Sequence, residues 1–185
     1  MKKSYISILL FTIAGLFVAC SNDDDSTEPV NEEEIITTVI LTFTPDGGGT
    51  AVVLTSRDLD GDGPNAPVVT VSGDFAANTN YNGTVQFLNE TENPAEDITV
   101  EVNAEAEEHQ VFYIPSTNLN LSFQYENVDS NGNPLGTLFS AMAGAASTGS
   151  LNLVLRHEPK KPNDGTLGDA GGETDVSVNF PLTIQ

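Results

Sequence analysis

The residues best suited to chemistry in this chain are its two histidines, His109 and His157, and an acidic run, Asp58-Leu59-Asp60-Gly61-Asp62-Gly63. His109 closes the segment Glu105-Ala106-Glu107-Glu108 and shares strand parity with Val111 and Tyr113. His157 continues the parity of Leu151, Leu153 and Leu155, so both imidazoles fall on inward positions at strand ends. If those two ends pack together, two ring nitrogens and a Glu form a donor set for Zn2+ or Cu2+. The competing reading is a pair of histidines at the rim of a core, hydrogen-bonded to carboxylates, because nothing in the spacing links them. The acidic run matches the first half of a calcium loop. Carboxylates of Asp58, Asp60 and Asp62 at alternate positions can curl around Ca2+, and Gly63 at the sixth position permits the sharp turn. The second half departs from that pattern, with Pro64 at the seventh position and Val69 where a bidentate Glu belongs. A plain Asp/Gly turn accounts for the same letters. There is no free catalytic Cys, no Gly-x-Ser-x-Gly elbow, no His-Glu-x-x-His and no phosphate loop. The chain is not expected to be an enzyme.

An all-β frame must position these groups. Val39, Leu41 and Phe43 alternate with Thr residues, and Leu119, Leu121, Phe123 and Tyr125 alternate with polar ones. Val176, Val178, Phe180, Leu182 and Ile184 share one face of a last strand. Turn signals separate the runs, among them Pro45-Asp46-Gly47-Gly48-Gly49 and Asp129-Ser130-Asn131-Gly132. About nine short strands of this kind make an antiparallel, immunoglobulin-like β-sandwich over residues 35–185. The stretch 97–108 fits both periods. Ile98, Val102 and Ala106 fall on one helical face, and Asn93-Pro94 with Glu96 reads as a helix start, so a short acidic helix is favoured over a strand. Loops 57–67 and 158–174 are expected to be the contact surfaces of the frame.

The beginning of the chain carries a different signal. Lys2 and Lys3 precede an apolar run at residues 6–18, then Ala19 and the single cysteine, Cys20. The run is too short for a settled membrane span and has the form of a secretory signal. It resembles a bacterial lipoprotein signal: residues 1–19 would be removed and Cys20 acylated, for example with palmitate. Residues 20–34 are acidic and polar and read as a flexible tether. Asp23-Asp24-Asp25 resembles the acidic signal that sends Bacteroidota lipoproteins to the outside of the outer membrane. Without residues 1–19 the protein keeps four Lys and Arg against 27 acidic residues, a formal charge of −23. Such a surface repels phosphate backbones and attracts cations, which excludes nucleic acid as a partner.

Several motifs together resemble a family of Bacteroidota outer-membrane lipoproteins of unassigned function. They are Arg57-Asp58-Leu59-Asp60-Gly61-Asp62-Gly63, Leu88-Asn89-Glu90, Glu107-Glu108-His109-Gln110, Leu155-Arg156-His157-Glu158-Pro159 and Gly171-Gly172-Glu173-Thr174-Asp175. Some of that family carry a type 1 periplasmic-binding label, which implies a two-lobed α/β protein; the length and the lack of βα alternation here speak against it. The resemblance implies a protein anchored in the outer membrane by lipid and exposed at the cell surface. The lipid tether, the flexible leash, the sandwich and the absence of catalytic groups lead to the expectation of a non-catalytic binding or accessory module, serving uptake of metal ions, metal complexes or glycans with an outer-membrane receptor. The alternative is a structural or adhesion domain that contacts another surface protein and holds no small ligand. Mass spectrometry of the mature N-terminus should find Cys20 acylated; an unmodified thiol would exclude the anchor.

Overall fold

The computed structural model describes residues 34–61 and 63–185. Cys20 and the acidic run after it lie outside the described residues, as does Asp62. Among the described residues no helix is long and apolar enough to cross a membrane.

The alternating runs pair into two antiparallel sheets. In the larger one, β1 (Thr38–Pro45) lies between β2 (Val52–Arg57) and β4 (Thr79–Asn89). β3 (Val68–Val71) extends this sheet beyond β2, and the two-residue β5 (Glu96–Asp97) adds to β4. On the other side of β4 come β8 (Leu138–Ala143) and then β7 (Leu121–Tyr125). The smaller sheet has three strands, in the order β10 (Glu173–Ile184), β9 (Ser147–His157) and β6 (His109–Pro115). The fold is the all-β, antiparallel sandwich that the alternation predicts, with ten strands among the described residues where about nine were expected.

The core fills the space between the sheets. Leu41, Phe43, Leu54 and Phe87 from the larger sheet meet Leu151, Leu153, Leu155 and Phe180 from the smaller one, all fully buried. With no tryptophan to fill the middle, phenyl rings do so. Phe43 meets Phe75 edge-on at 4.9 Å and Phe139 at 5.1 Å, the arrangement that ring quadrupoles favour. Tyr113 stacks on Phe123 at 4.6 Å, and its hydroxyl donates to the Gly136 carbonyl at 2.7 Å. Burial holds the Tyr113 phenol well above its ordinary pKa, so it remains a donor.

Two local expectations need correction. A helix does form in the ambiguous stretch, but α1 (Thr99–Ala104) begins after Ile98, and Asn93 is not its cap. Residues 96–97 are captured by the edge of β4 instead, and the Asp97 carboxylate accepts from the Thr99 N–H at 3.1 Å and the Gln86 amide at 2.9 Å. The 158–174 segment is not a free contact loop either. Its short α2 (Leu167–Ala170) covers Phe112 and Val154, the apolar residues on the outer face of the smaller sheet. Exposed apolar side chains there made a cover favourable.

Gly83 sits at a core position of β4, where a Cβ would lie 2.1 Å from the Phe139 ring. Gly83→Ala should therefore overpack the centre of the larger sheet, and urea unfolding should register a loss of about 1–3 kcal/mol.

Candidate metal centre

The smaller sheet brings the two histidines together. β6 begins at His109 and β9 ends at His157, and the antiparallel register sets these two residues directly opposite each other. Their rings meet edge-on, with centroids 4.7 Å apart. Cross-strand partners on one face are neighbours by construction, so the pairing follows from register alone.

Two carboxylates complete the cluster. Glu34 has Oε1 2.8 Å from His109 Nε2 and Oε2 3.6 Å from His157 Nδ1. Asp175 has Oδ2 3.9 Å from His109 Nε2 and Oδ1 4.0 Å from His157 Nδ1. Each carboxylate thus faces both imidazoles, and one donor atom from each of the four residues falls within 4.8 Å of the others. All four side chains are at least 94% buried. Donors around a tetrahedral Zn2+ with bonds of about 2.0–2.1 Å stand about 3.3–3.4 Å apart, a spacing that these separations bracket.

Sequence reasoning named His109 and His157 and missed Glu34 and Asp175. In the sequence Glu34 is the last residue of the acidic tether, one acid among several. Its side chain is instead buried against the smaller sheet, four residues before β1 begins. Asp175 was hidden by parity, because Val176, Val178 and Phe180 claim the inward face. The ladder between β10 and β9 slips between Thr174 and Val176, and Asp175 is the extra residue. A β-bulge re-aims a side chain in this way. Gly172 allows the strand to start so close to β9: its φ is +72°, and a Cβ there would lie 2.3 Å from the His157 carbonyl oxygen.

The surroundings orient the donors. His109 Nδ1 lies 3.2 Å from the Glu105 carbonyl, which can only accept, so Nδ1 carries the proton. In the neutral ring this leaves the Nε2 lone pair directed at the carboxylates, as in metal sites whose histidines are fixed from behind. Although His109 Nε2 and Glu34 Oε1 are 2.8 Å apart, they are not lined up as donor and acceptor, and Nε2 has no hydrogen-bond partner. Glu34 Oε2 and His157 Nε2 are also buried without one. The potential nearby is negative: burial first, then the charges of Glu105, Glu34 and Glu96, raise the Glu101 carboxyl above its ordinary pKa.

Lys161 braces the turn behind His109. Its side chain is 6% exposed, and the ammonium donates to the carbonyls of Ala106 at 2.6 Å and His109 at 2.5 Å, with Asp129 at 3.5 Å. Burial lowers the Lys161 pKa, and Asp129 opposes that shift. Burial would raise the Asp129 carboxyl, but hydrogen bonds from Asn133 and Asn131 and the Lys161 charge bring it below its usual range.

The acidic loop behaves differently. The Asp60 carboxylate accepts from the Asn65 backbone at 3.3 Å and from its amide at 2.7 Å, which lowers its pKa and closes the turn internally. Asp58 keeps a buried Oδ1 without a hydrogen-bond partner. Among the described residues, these two acids do not form a metal-holding group with a third ligand.

No protein-family model, curated protein or solved structure matches this chain.

Lys161→Met should strand two buried carbonyls in the turn that carries Glu105 and His109. Urea unfolding is expected to show a loss of about 1–3 kcal/mol, which a merely exposed lysine would not produce.

Proposed function

We propose that this protein is a lipid-tethered, non-catalytic binding module of the cell surface whose Glu34–His109–His157–Asp175 centre holds one divalent transition metal, Zn2+ in the first instance. One observation carries the reading: two buried carboxylates face two buried imidazoles, and His109 Nε2, turned towards them, has no hydrogen-bond partner. With neutral rings the cluster bears two negative charges in a low-dielectric setting, which is costly unless a cation shares the space. A dication balances that charge and takes a lone pair from each residue at once. The donor set of two nitrogens and two oxygens, without thiolate, suits Zn2+ and then Cu2+ better than Cu(I).

Four protein ligands with little solvent contact make a closed site, the form that holds a metal rather than one that activates water on it. This supports a binding role over a hydrolytic one. The rest of the molecule agrees with a cation as partner. Arg57 pairs with Glu90 at 2.6 Å, Lys160 with Asp169 at 2.8 Å, Lys161 serves the turn, and Arg156 donates to Gly172 and Thr174. These four are all the Lys and Arg after residue 19, so the exposed charge left over is carboxylate. On a tether at the outer membrane, such a module would gather or retain metal beside an import receptor. The alternative, an adhesion domain without a small ligand, predicts a centre balanced by protons on the histidines.

Titration of the purified, metal-stripped full chain in detergent with Zn2+ separates the two. One equivalent should bind, and His109→Ala or His157→Ala should weaken it by more than about 100-fold. At free Zn2+ near 100 times its Kd, the domain should gain about 2.7 kcal/mol of stability, reversed by chelator. Flat titrations with an unchanged melting temperature would reject the metal reading.

A further inference from the structure

His157 belongs to two donor groups. Beside the buried centre, it forms a second group with Glu108 and Glu158, in which one donor atom of each residue lies within 4.8 Å of the others. The two groups differ in access. Glu108 and Glu158 are exposed, whereas the inner four side chains are nearly sealed. Resting on the metal reading above, we infer that Glu108, His157 and Glu158 form the loading site, which captures a divalent transition metal from solvent and hands it inward through the shared imidazole.

Three features support the inference. The outer group is built rather than incidental: the Glu158 N–H donates to the Glu108 carbonyl at 2.6 Å, locking the two residues together one step beyond the His109–His157 pair. In a regular ladder, residues at that step would alternate to the opposite face from the histidines. Glu158 instead has φ +47°, in the left-handed region where a non-glycine residue is uncommon, and its carboxylate stays within reach of His157. Such conformations persist where the surroundings enforce them. The histidine itself points both ways. Nδ1 faces Glu34 and Asp175, leaving Nε2, buried and without a hydrogen-bond partner, for the outer pair.

The physical need is desolvation. A hydrated dication gives up its water poorly in one step, and a closed cage offers it no intermediate stop. Two solvent-facing carboxylates supply the first oxygens while the ion is still partly hydrated. Arg57, Lys160 and Lys161 are each paired with an acid elsewhere, so these three do not neutralise the two carboxylates. A neutral imidazole offers one lone pair. While Nε2 holds the ion outside, the ring proton sits on Nδ1, facing Glu34 and Asp175. As the ion passes inward, with the outer carboxylates letting go last, that proton is taken up by an inner carboxylate and Nε2 is reprotonated from solvent. This frees Nδ1 as the inner ligand.

The test is stopped-flow mixing of the metal-stripped full chain with Co2+, whose visible spectrum reports ligand geometry, and with Zn2+ by competition. In Glu108→Gln/Glu158→Gln, association and dissociation should both slow by about tenfold or more, since the route in is also the route out. As a charge-matched control, Glu92→Gln/Glu126→Gln removes two exposed acids elsewhere and should keep association within about twofold. Equal slowing in both double variants would overturn the loading site and leave only general attraction by the acidic surface. Wild-type rates in the Glu108/Glu158 variant would also overturn it, with the inner centre intact. No metal bound by the wild-type chain would overturn the inner centre and the loading site together.

Discussion

Charge balance at one end of the sandwich governs the rest of this molecule. Glu34 and Asp175 are buried against His109 and His157, and ionised carboxylates in such a volume are costly unless protons or a cation share it. Whatever supplies that balance ties together the residue leading into β1, the start of β6, the end of β9 and the bulge of β10. Those four positions span both sheets. An ion there would fasten the two layers at a point where the hydrophobic core gives way to solvent.

The neighbouring structure serves this end of the fold. The six-residue α1 and the turn after it deliver the Glu105 carbonyl behind His109. Lys161, reaching from the segment that covers the outer face of the smaller sheet, holds that turn closed through two carbonyls. Gly172 lets β10 begin hard against His157. None of these groups is a ligand, yet each limits where a ligand can sit. The aromatic core around Phe43 fixes the spacing of the sheets and leaves the polar chemistry to the rim.

The fold was readily legible. Alternation through Leu151, Leu153 and Leu155, and through Val176 to Ile184, marked β9 and β10 and their inward faces, because a strand half-buried on one side must repeat every two residues. The same parity marked His109 and His157 as inward. Where local signals competed, the reading was weaker. Asn93-Pro94 with Glu96 looked like a helix start, but the exposed edge of β4 offered residues 96–97 hydrogen bonds that the helix could not match. Composition made 158–174 look like an open loop, and only the apolar outer face of the smaller sheet explains why it packs down.

By itself the sequence determined the class of fold, the inward placement of both histidines and the excess of carboxylate, since each depends on residue type and short-range periodicity. It could not determine which acids join the histidines. Glu34 is one of many in an acidic stretch, and Asp175 stands on the outward parity of its strand until a bulge turns it round. Register between β6 and β9, the slip in β10 and the path into β1 are long-range properties, set by how whole strands pack. Only the tertiary structure could assemble four residues separated by up to 141 positions into one centre.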